Sequence, residues 1–167
     1  MAPDDDAVAM YDLAMDALGR AGYEQYEISN VARPGRQARH NVKYWKDGEW
    51  FGFGPGAHST WRGERWKNVA GTADYVGRVE AGVPIVIERR VMTMEERWQE
   101  ALMTGLRLTE GMSVSDLLQR YGLDIRARYG HHLQPCFEAG LLVEDEGWLR
   151  LTRRGMMLAN EVLAVFF

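Results

Sequence analysis

Two histidines stand in polar, glycine-rich surroundings: His40 in His40-Asn41-Val42-Lys43-Tyr44-Trp45, and His58 in Gly52-Phe53-Gly54-Pro55-Gly56-Ala57-His58-Ser59. A neutral imidazole ligates a metal ion or the iron of a porphyrin when one ring nitrogen is free and a partner orients the other. Asn41 and Ser59 are the neighbours expected to give that orientation. A lone histidine more often makes only a structural hydrogen bond, so residue type by itself assigns no metal to either. The alternating glycines 52, 54 and 56 remove side chains from one face of an extended segment, which lets a flat ligand or another backbone approach closely. Their spacing is not a dinucleotide fingerprint, because aromatic extended sequence follows where a helix should begin. Tyr44, Trp45, Trp50 and Phe51 supply aromatic faces suited to a planar macrocycle or to core packing. Arg33, Arg36, Arg39 and Lys43 form a basic stretch suited to carboxylate or phosphate groups, or to a solvated loop face.

The remaining reactive side chains are weaker candidates. His131 and His132 are adjacent on an expected helix and so occupy different faces. Cys136 is the only cysteine, which excludes an internal disulfide, a Cys-x-x-Cys site and an all-cysteine cluster site within the chain. Its apolar neighbours favour a buried structural thiol over a nucleophile.

The elements that must carry these residues are legible in outline. Asp4 to Asp6 can cap a first helix in which Ala7, Met10, Tyr11, Ala14 and Leu18 recur at helical spacing, closed by Gly19 and Gly22. Tyr23 to Ser29 alternates as a strand. Glu49 to Thr60 reads as glycine-studded strand, Trp61 to Val69 as a hairpin around Arg62-Gly63, Thr72 to Ala81 as a helix ended by Gly82, and Val83 to Ile87 as an extended connector. After about residue 90 the character changes. Thr93-Met94-Glu95-Glu96 has capping-box spacing before a face of Trp98, Ala101, Leu102, Gly105 and Leu106. Ser113 caps a second helix through Leu117, Leu118 and Tyr121, a third spans about Ile125 to Ala139, a hairpin turns near Glu146-Gly147, and a last helix covers Arg153 to Phe166. Helices followed by a strand-turn-strand give a winged-helix outline, with the boundary near residue 88. The first part offers one αβ step and a few strands, and such strands need neighbours and covering helices. It therefore reads as a piece of a larger α/β layer or as a surface that pairs with a second copy.

Bulk properties narrow the functions. The 167 residues carry a formal net charge of −4. Residues 1–88 hold 10 Lys and Arg against 13 Asp and Glu, so the glycine-rich part is not basic. That argues against a broad grip on nucleic acid or anionic lipid. No apolar run approaches a membrane span and the start has no signal-peptide pattern, so a cytoplasmic protein is expected. A winged-helix DNA-binding module stays open as an alternative, with Arg126, Arg128 and Gln134 as its best recognition side chains.

Taken together, Tyr26-Glu-Ile-Ser-Asn-Val-Ala-Arg-Pro-Gly35, His40-Asn-Val-Lys-Tyr-Trp45 and Gly52-Phe-Gly-Pro-Gly-Ala-His-Ser59 resemble the HemW family. Later blocks, Gly105-Leu-Arg-Leu-Thr-Glu-Gly111 and Gly140-Leu-Leu through Leu149-Arg-Leu-Thr to Asn160, resemble the C-terminal domain that HemW shares with the oxygen-independent coproporphyrinogen III oxidases. The resemblance covers essentially the whole chain. It implies an α+β architecture: the terminal part of a partial α/β radical-SAM barrel over residues 1–88, then a mostly helical, winged-helix-like domain over 89–167. In the full-length family a 4Fe-4S cluster held by Cys-x-x-x-Cys-x-x-Cys, S-adenosylmethionine and haem are the cofactors. That motif is absent here, so the chain by itself is expected to bind no cluster and to be inactive as an enzyme.

Within the family the His-Asn-x-x-Tyr-Trp block marks haem chaperones. The resemblance therefore implies haem binding at His40, Asn41, Tyr44 and Trp45, with His40 as candidate iron ligand. It also implies cofactor-lining positions at Tyr26, Glu27, Ser29, Asn30, Gly52, Gly54, Gly56 and His58. Expected partners are haem and haem-requiring proteins, membrane-associated ones included, with no nucleic acid, and oligomers are open. A fragment of a coproporphyrinogen III oxidase is the alternative. Val31 departs from the family's more usual Phe, a conservative apolar change.

Overall fold

A computed structural model describes residues 4–167. Of the described residues, those up to Asp47 and 98–167 form one compact unit, and Gly48–Arg97 forms a second.

The first unit opens with helix α1 (Asp4–Arg20), closed at Gly22 in the left-handed region. Of the cap expected at Asp4 to Asp6, the side chains of Asp4 and Asp5 lie outside those described, and Asp6 is exposed within the helix. The inward face of α1 differs from the expected one: Tyr11, Met15 and Leu18 are half-buried, whereas Met10 is 65% and Leu13 67% exposed. Tyr11 settles this rotation, because its hydroxyl donates to the Ile28 carbonyl at 2.9 Å. The predicted strand over 23–29 shrinks to β1 (Glu24–Gln25), which pairs antiparallel with β2 (Val31–Ala32). Residues 39–45, Arg-His-Asn-Val-Lys-Tyr-Trp, form the short helix α2.

In the second unit, strands β3 (His58–Trp61) and β4 (Glu64–Asn68) make the predicted hairpin. Its turn has positive φ at Arg62 and Gly63, the conformation two-residue hairpin loops require. Helix α3 (Thr72–Ala81) ends at Gly82, as its spacing predicts. The segment read as a connector becomes a third strand, β5 (Val86–Val91), which covers the other edge of β4. Pro84 lies just ahead of it, where no ladder N–H is needed.

Helix α4 (Met94–Gly105) starts with the expected capping box: the Thr93 N–H donates to Glu96 Oε2 at 2.9 Å, and the Glu96 N–H to Thr93 Oγ1 at 3.2 Å. Arg90 donates to both Glu96 oxygens at 2.7 and 2.8 Å. The Arg90 guanidinium, then the Thr93 N–H, lower the Glu96 carboxyl from 4.5 to about 2. A folded value below the unfolded one means that the cap is intact above pH 4.5 and lost as the pH falls through about 2. Side-chain NMR of Glu96 should show that low midpoint together with fraying of the first turn of α4. A midpoint near 4.5 would show that the box is not formed in solution.

The core of the first unit lies in its C-terminal part. Trp98, Leu102 and Leu106 pack with Leu117 and Tyr121 of α5 (Val114–Tyr121) and with Ile125 and Leu133 of α6 (Ile125–Glu138). The Ser113 hydroxyl caps α5 by accepting from the Asp116 N–H. Strands β7 (Leu142–Asp145) and β8 (Trp148–Leu151) form the predicted hairpin, with Glu146 and Gly147 at positive φ. A short strand unforeseen from the sequence, β6 (Met112–Ser113), pairs with β8 to give the order β6-β8-β7. The last helix is broken at Leu158 into α7 (Arg153–Met157) and α8 (Ala159–Leu163), followed by a 3-10 turn over Ala164–Phe166. Cys136 is half-buried against this core, less than expected, and burial pushes its thiol above the usual range.

Candidate functional site

Helix α2 places four of the singled-out residues together. It is 7 residues long, has no side-chain cap and buries no residue. Isolated helices of that length are unstable in water, so tertiary contacts must hold it. His40 and Tyr44 are one turn apart on its exposed side. Their rings meet edge to face with centroids 4.9 Å apart, and Tyr44 Oη lies 3.2 Å from His40 Nε2. The partner that orients His40 is therefore Tyr44, four residues on, and not Asn41. When Nε2–H donates to the phenol oxygen, the Nδ1 lone pair is left free, which is the form a metal requires. Arg36, Arg39 and Lys43 are exposed beside this pair.

Trp45 is held from below. The Arg107 guanidinium lies 5.0 Å from its ring centroid, and Arg107 Nη2 is 3.6 Å from Oε2 of Glu27, a carboxylate with 0% exposure. Glu27 Oε1 accepts from the Ser29 N–H at 2.8 Å and from the Asn30 amide. Backbone bonds join the same two segments: Ile28 N–H to Arg107 O at 3.0 Å and Thr109 N–H to Tyr26 O at 3.1 Å. Past the helix end, Lys46 pairs with Glu110 at 2.6 Å, and Asp47 accepts from Tyr121 Oη at 2.6 Å and lies 3.3 Å from Arg120. A cleft of about 150 Å³ opens beside these contacts, lined by Trp45, Asp47, Gly105, Met112, Tyr121 and Trp148 among others. That is below the roughly 300 Å³ at which pockets engulf a drug-sized ligand, so a large planar ligand at α2 would lie against its surface.

The sequence singled out Glu27 and Trp45 but not the arginine between them. A signal was present: Arg107 is a charged residue between Leu106 and Leu108, both buried.

The glycine block belongs to the second unit and is a turn, not a smooth strand face. Gly54 and Gly56 have φ of +97 and +70. A Cβ on Gly52 would lie 2.2 Å from the His58 carbonyl oxygen, so glycine there is required by close backbone approach. The Gly52 N–H donates to Ser59 Oγ at 2.9 Å, the Asn68 amide to the Gly54 carbonyl at 3.0 Å, and the Trp50 indole to the His58 carbonyl at 3.1 Å. Ser59 is thus engaged with Gly52 and does not supply the orientation expected for the His58 ring, which is exposed. The aromatic cluster also regroups. Phe51 packs on Trp61 and Trp66 with centroids 5.0 and 5.8 Å away, while Tyr44 and Trp45 engage His40 and Arg107. Phe53 is 89% exposed.

The side chains weighed for base reading are occupied. Arg126 pairs with Glu144, Arg128 lies over Trp98 at 4.8 Å, and Gln134 donates to Glu138. Among the described residues no group of three or more His, Cys, Asp or Glu could hold a metal ion. With one cysteine the chain does not fit an iron–sulfur cluster, and no chemistry is assigned to it through one.

Residues 92–158 match the HemN C-terminal domain. A solved structure of coproporphyrinogen III oxidase (HemN) from Escherichia coli, described as a radical SAM enzyme, superposes with a TM-score of 0.72 at 18% identity, covering 93% of this chain and 39% of that one. The chain therefore has the mixed α and β fold found in that part of HemN. The heme chaperone HemW of Bacillus subtilis (strain 168) is 35% identical over 165 residues, 98% of this chain and 43% of the relative. The HemW of Mycobacterium tuberculosis (strain H37Rv) is 35% identical over 163 residues, 97% and 40%. The chain belongs to the HemW-like family, as a C-terminal portion that spans about two-fifths of the length of these curated relatives.

Proposed function

We propose that this chain is the haem-handling portion of a HemW-like chaperone, binding haem on the exposed side of α2 and passing it to haem-requiring proteins. The observation that carries this reading is the His40–Tyr44 pair on a helix held from beneath by Trp45. In this reading His40 offers Nδ1 to the iron while Tyr44, accepting from Nε2–H, orients the ring. Arg36, Arg39 and Lys43 meet the carboxylates of the macrocycle, and Asn41 lies at the helix surface beside them. Tyr26, Glu27, Ser29 and Asn30 form the support behind α2, since Tyr26 and Glu27 are buried. Gly52, Gly54, Gly56 and His58 are assigned to lining cofactor or substrate in the complete protein. There, residues 1–88 close the end of a partial α/β barrel and 89–167 form a winged-helix-like packing module. No helix among the described residues is long and apolar enough to cross a membrane. In this reading the whole protein is cytoplasmic and meets its recipients, membrane-bound ones included, from solution. Recipients and oligomeric state belong to the whole protein.

Haem titrated into the chain and followed at the Soret band tests the assignment. The wild type is expected to saturate with a shifted band, and His40→Ala to bind at least about tenfold more weakly with a different spectrum. An unchanged band and affinity in His40→Ala would remove His40 as a ligand.

A further inference from the structure

Among the described residues the buried side-chain polar atoms without a hydrogen-bond partner are Glu27 Oε2, Trp45 Nε1 and Arg107 Nε. All three belong to one cluster, the Glu27–Arg107–Trp45 contact under α2. Native proteins rarely leave such atoms unpaired, and each one that stands so calls for a reason in the surrounding geometry. Here the geometry is a guanidinium used twice. Its charge faces the carboxylate of Glu27 at 3.6 Å, and its Cζ lies over the indole of Trp45, 5.0 Å from the ring centroid. Only arginine combines a planar face with a permanent charge.

The other attachments of α2 are weaker restraints on its orientation. Lys46 and Glu110 are half exposed, as is Arg120 opposite Asp47, and pairs of that kind are screened by salt. The Asp47–Tyr121 bond anchors the chain two residues beyond the helix. Inside the helix, half-buried Trp45 is turned toward the guanidinium of Arg107, a side chain less exposed than those of Lys46, Glu110 and Arg120. His40 stands on the same 7-residue helix, so a displacement of Trp45 displaces it as well.

We infer that Arg107 is the positioning residue of the haem helix: it ties Trp45 to buried Glu27 and so fixes where His40 and Tyr44 stand. This rests on α2 being the haem-binding helix. It gives the HemN C-terminal domain, to which Arg107, Glu110, Arg120 and Tyr121 all belong, the task of holding that helix.

The test uses the whole chain with Arg107→Met, Arg107→Lys and the double variant Glu27→Gln/Arg107→Met. The double variant removes both charges together and so avoids stranding a buried carboxylate, which keeps a folded protein available. Amide hydrogen exchange over residues 39–47 and haem titration are the two readouts. All three variants are expected to exchange at least about tenfold faster in α2 with α4 unchanged, and to bind haem about tenfold more weakly. Lysine keeps the charge without the broad guanidinium that reaches both Glu27 and the indole, so its failure to restore either readout marks positioning through Trp45. Full restoration by lysine, or exchange in α2 within twofold of wild type in the double variant, overturns the inference. If His40→Ala and wild type take up haem alike, the haem reading fails, and exchange in α2 still decides the role of Arg107.

Discussion

Glu27→Ala is expected to destabilise the first compact unit by about 3 kcal/mol, read as a lower denaturation midpoint in urea with an unchanged slope. The side chain is fully buried, and it accepts from the Ser29 N–H and the Asn30 amide while facing Arg107. Removing it leaves a guanidinium whose side chain is 29% exposed without its counter-charge. Breaking a buried pair by deleting one partner typically costs about 3–5 kcal/mol. The lower end applies because water can reach part of Arg107. Glu27→Gln retains the size and most of the acceptor capacity and should cost clearly less. Equal losses for the two variants would show that charge, not shape or acceptor capacity, is what Glu27 contributes.

The second large effect belongs to the core. Phe166 is 1% exposed, and its ring meets Tyr129 edge to face with centroids 5.1 Å apart. Tyr129 in turn sits against Trp98 at 5.8 Å. Phe166→Ala should therefore cost about 3–5 kcal/mol, from the transfer term and the cavity left inside an aromatic run. A domain of this size has only about 5–15 kcal/mol in hand, so the loss should appear as a melting temperature lower by several degrees and a weakened near-UV aromatic signal. A loss under about 1 kcal/mol would mean that the C-terminal turn is not docked in solution.

Local chemistry made much of this readable in the sequence. The Thr93–Glu96 box, the Gly82 stop, and the turns at Arg62-Gly63 and Glu146-Gly147 depend on residues a few positions apart. Features decided by distant partners were not readable. Helix α2 has no capping side chain and carries β-branched and aromatic residues, so nothing local announces a helix. Strand β5 exists because β4 offers it an edge. The spacing of the glycines at 52, 54 and 56 predicts one strand face, whereas one serves close backbone approach and two serve positive φ. The site divides in the same way. His40 and Tyr44 are four apart and visible as a pair, but the orienting role of Tyr44 needed the helix, and Arg107 needed the tertiary fold.

That tertiary dependence bears on when the site comes into being. The segment before α2 is bound to the segment beyond α4 by contacts such as Thr109 Oγ1 to the Gln25 carbonyl, 84 residues away in the chain. Closing a loop of that length costs roughly 4 kcal/mol of chain entropy beyond a constant, which the core around Trp98 and Leu102 has to offset. During synthesis residues 40–45 leave the ribosome long before residues 107–121. The nascent chain thus carries the His40 block for some seconds without the platform that orders it. The histidine helix is set in place only after the C-terminal segment has emerged and folded.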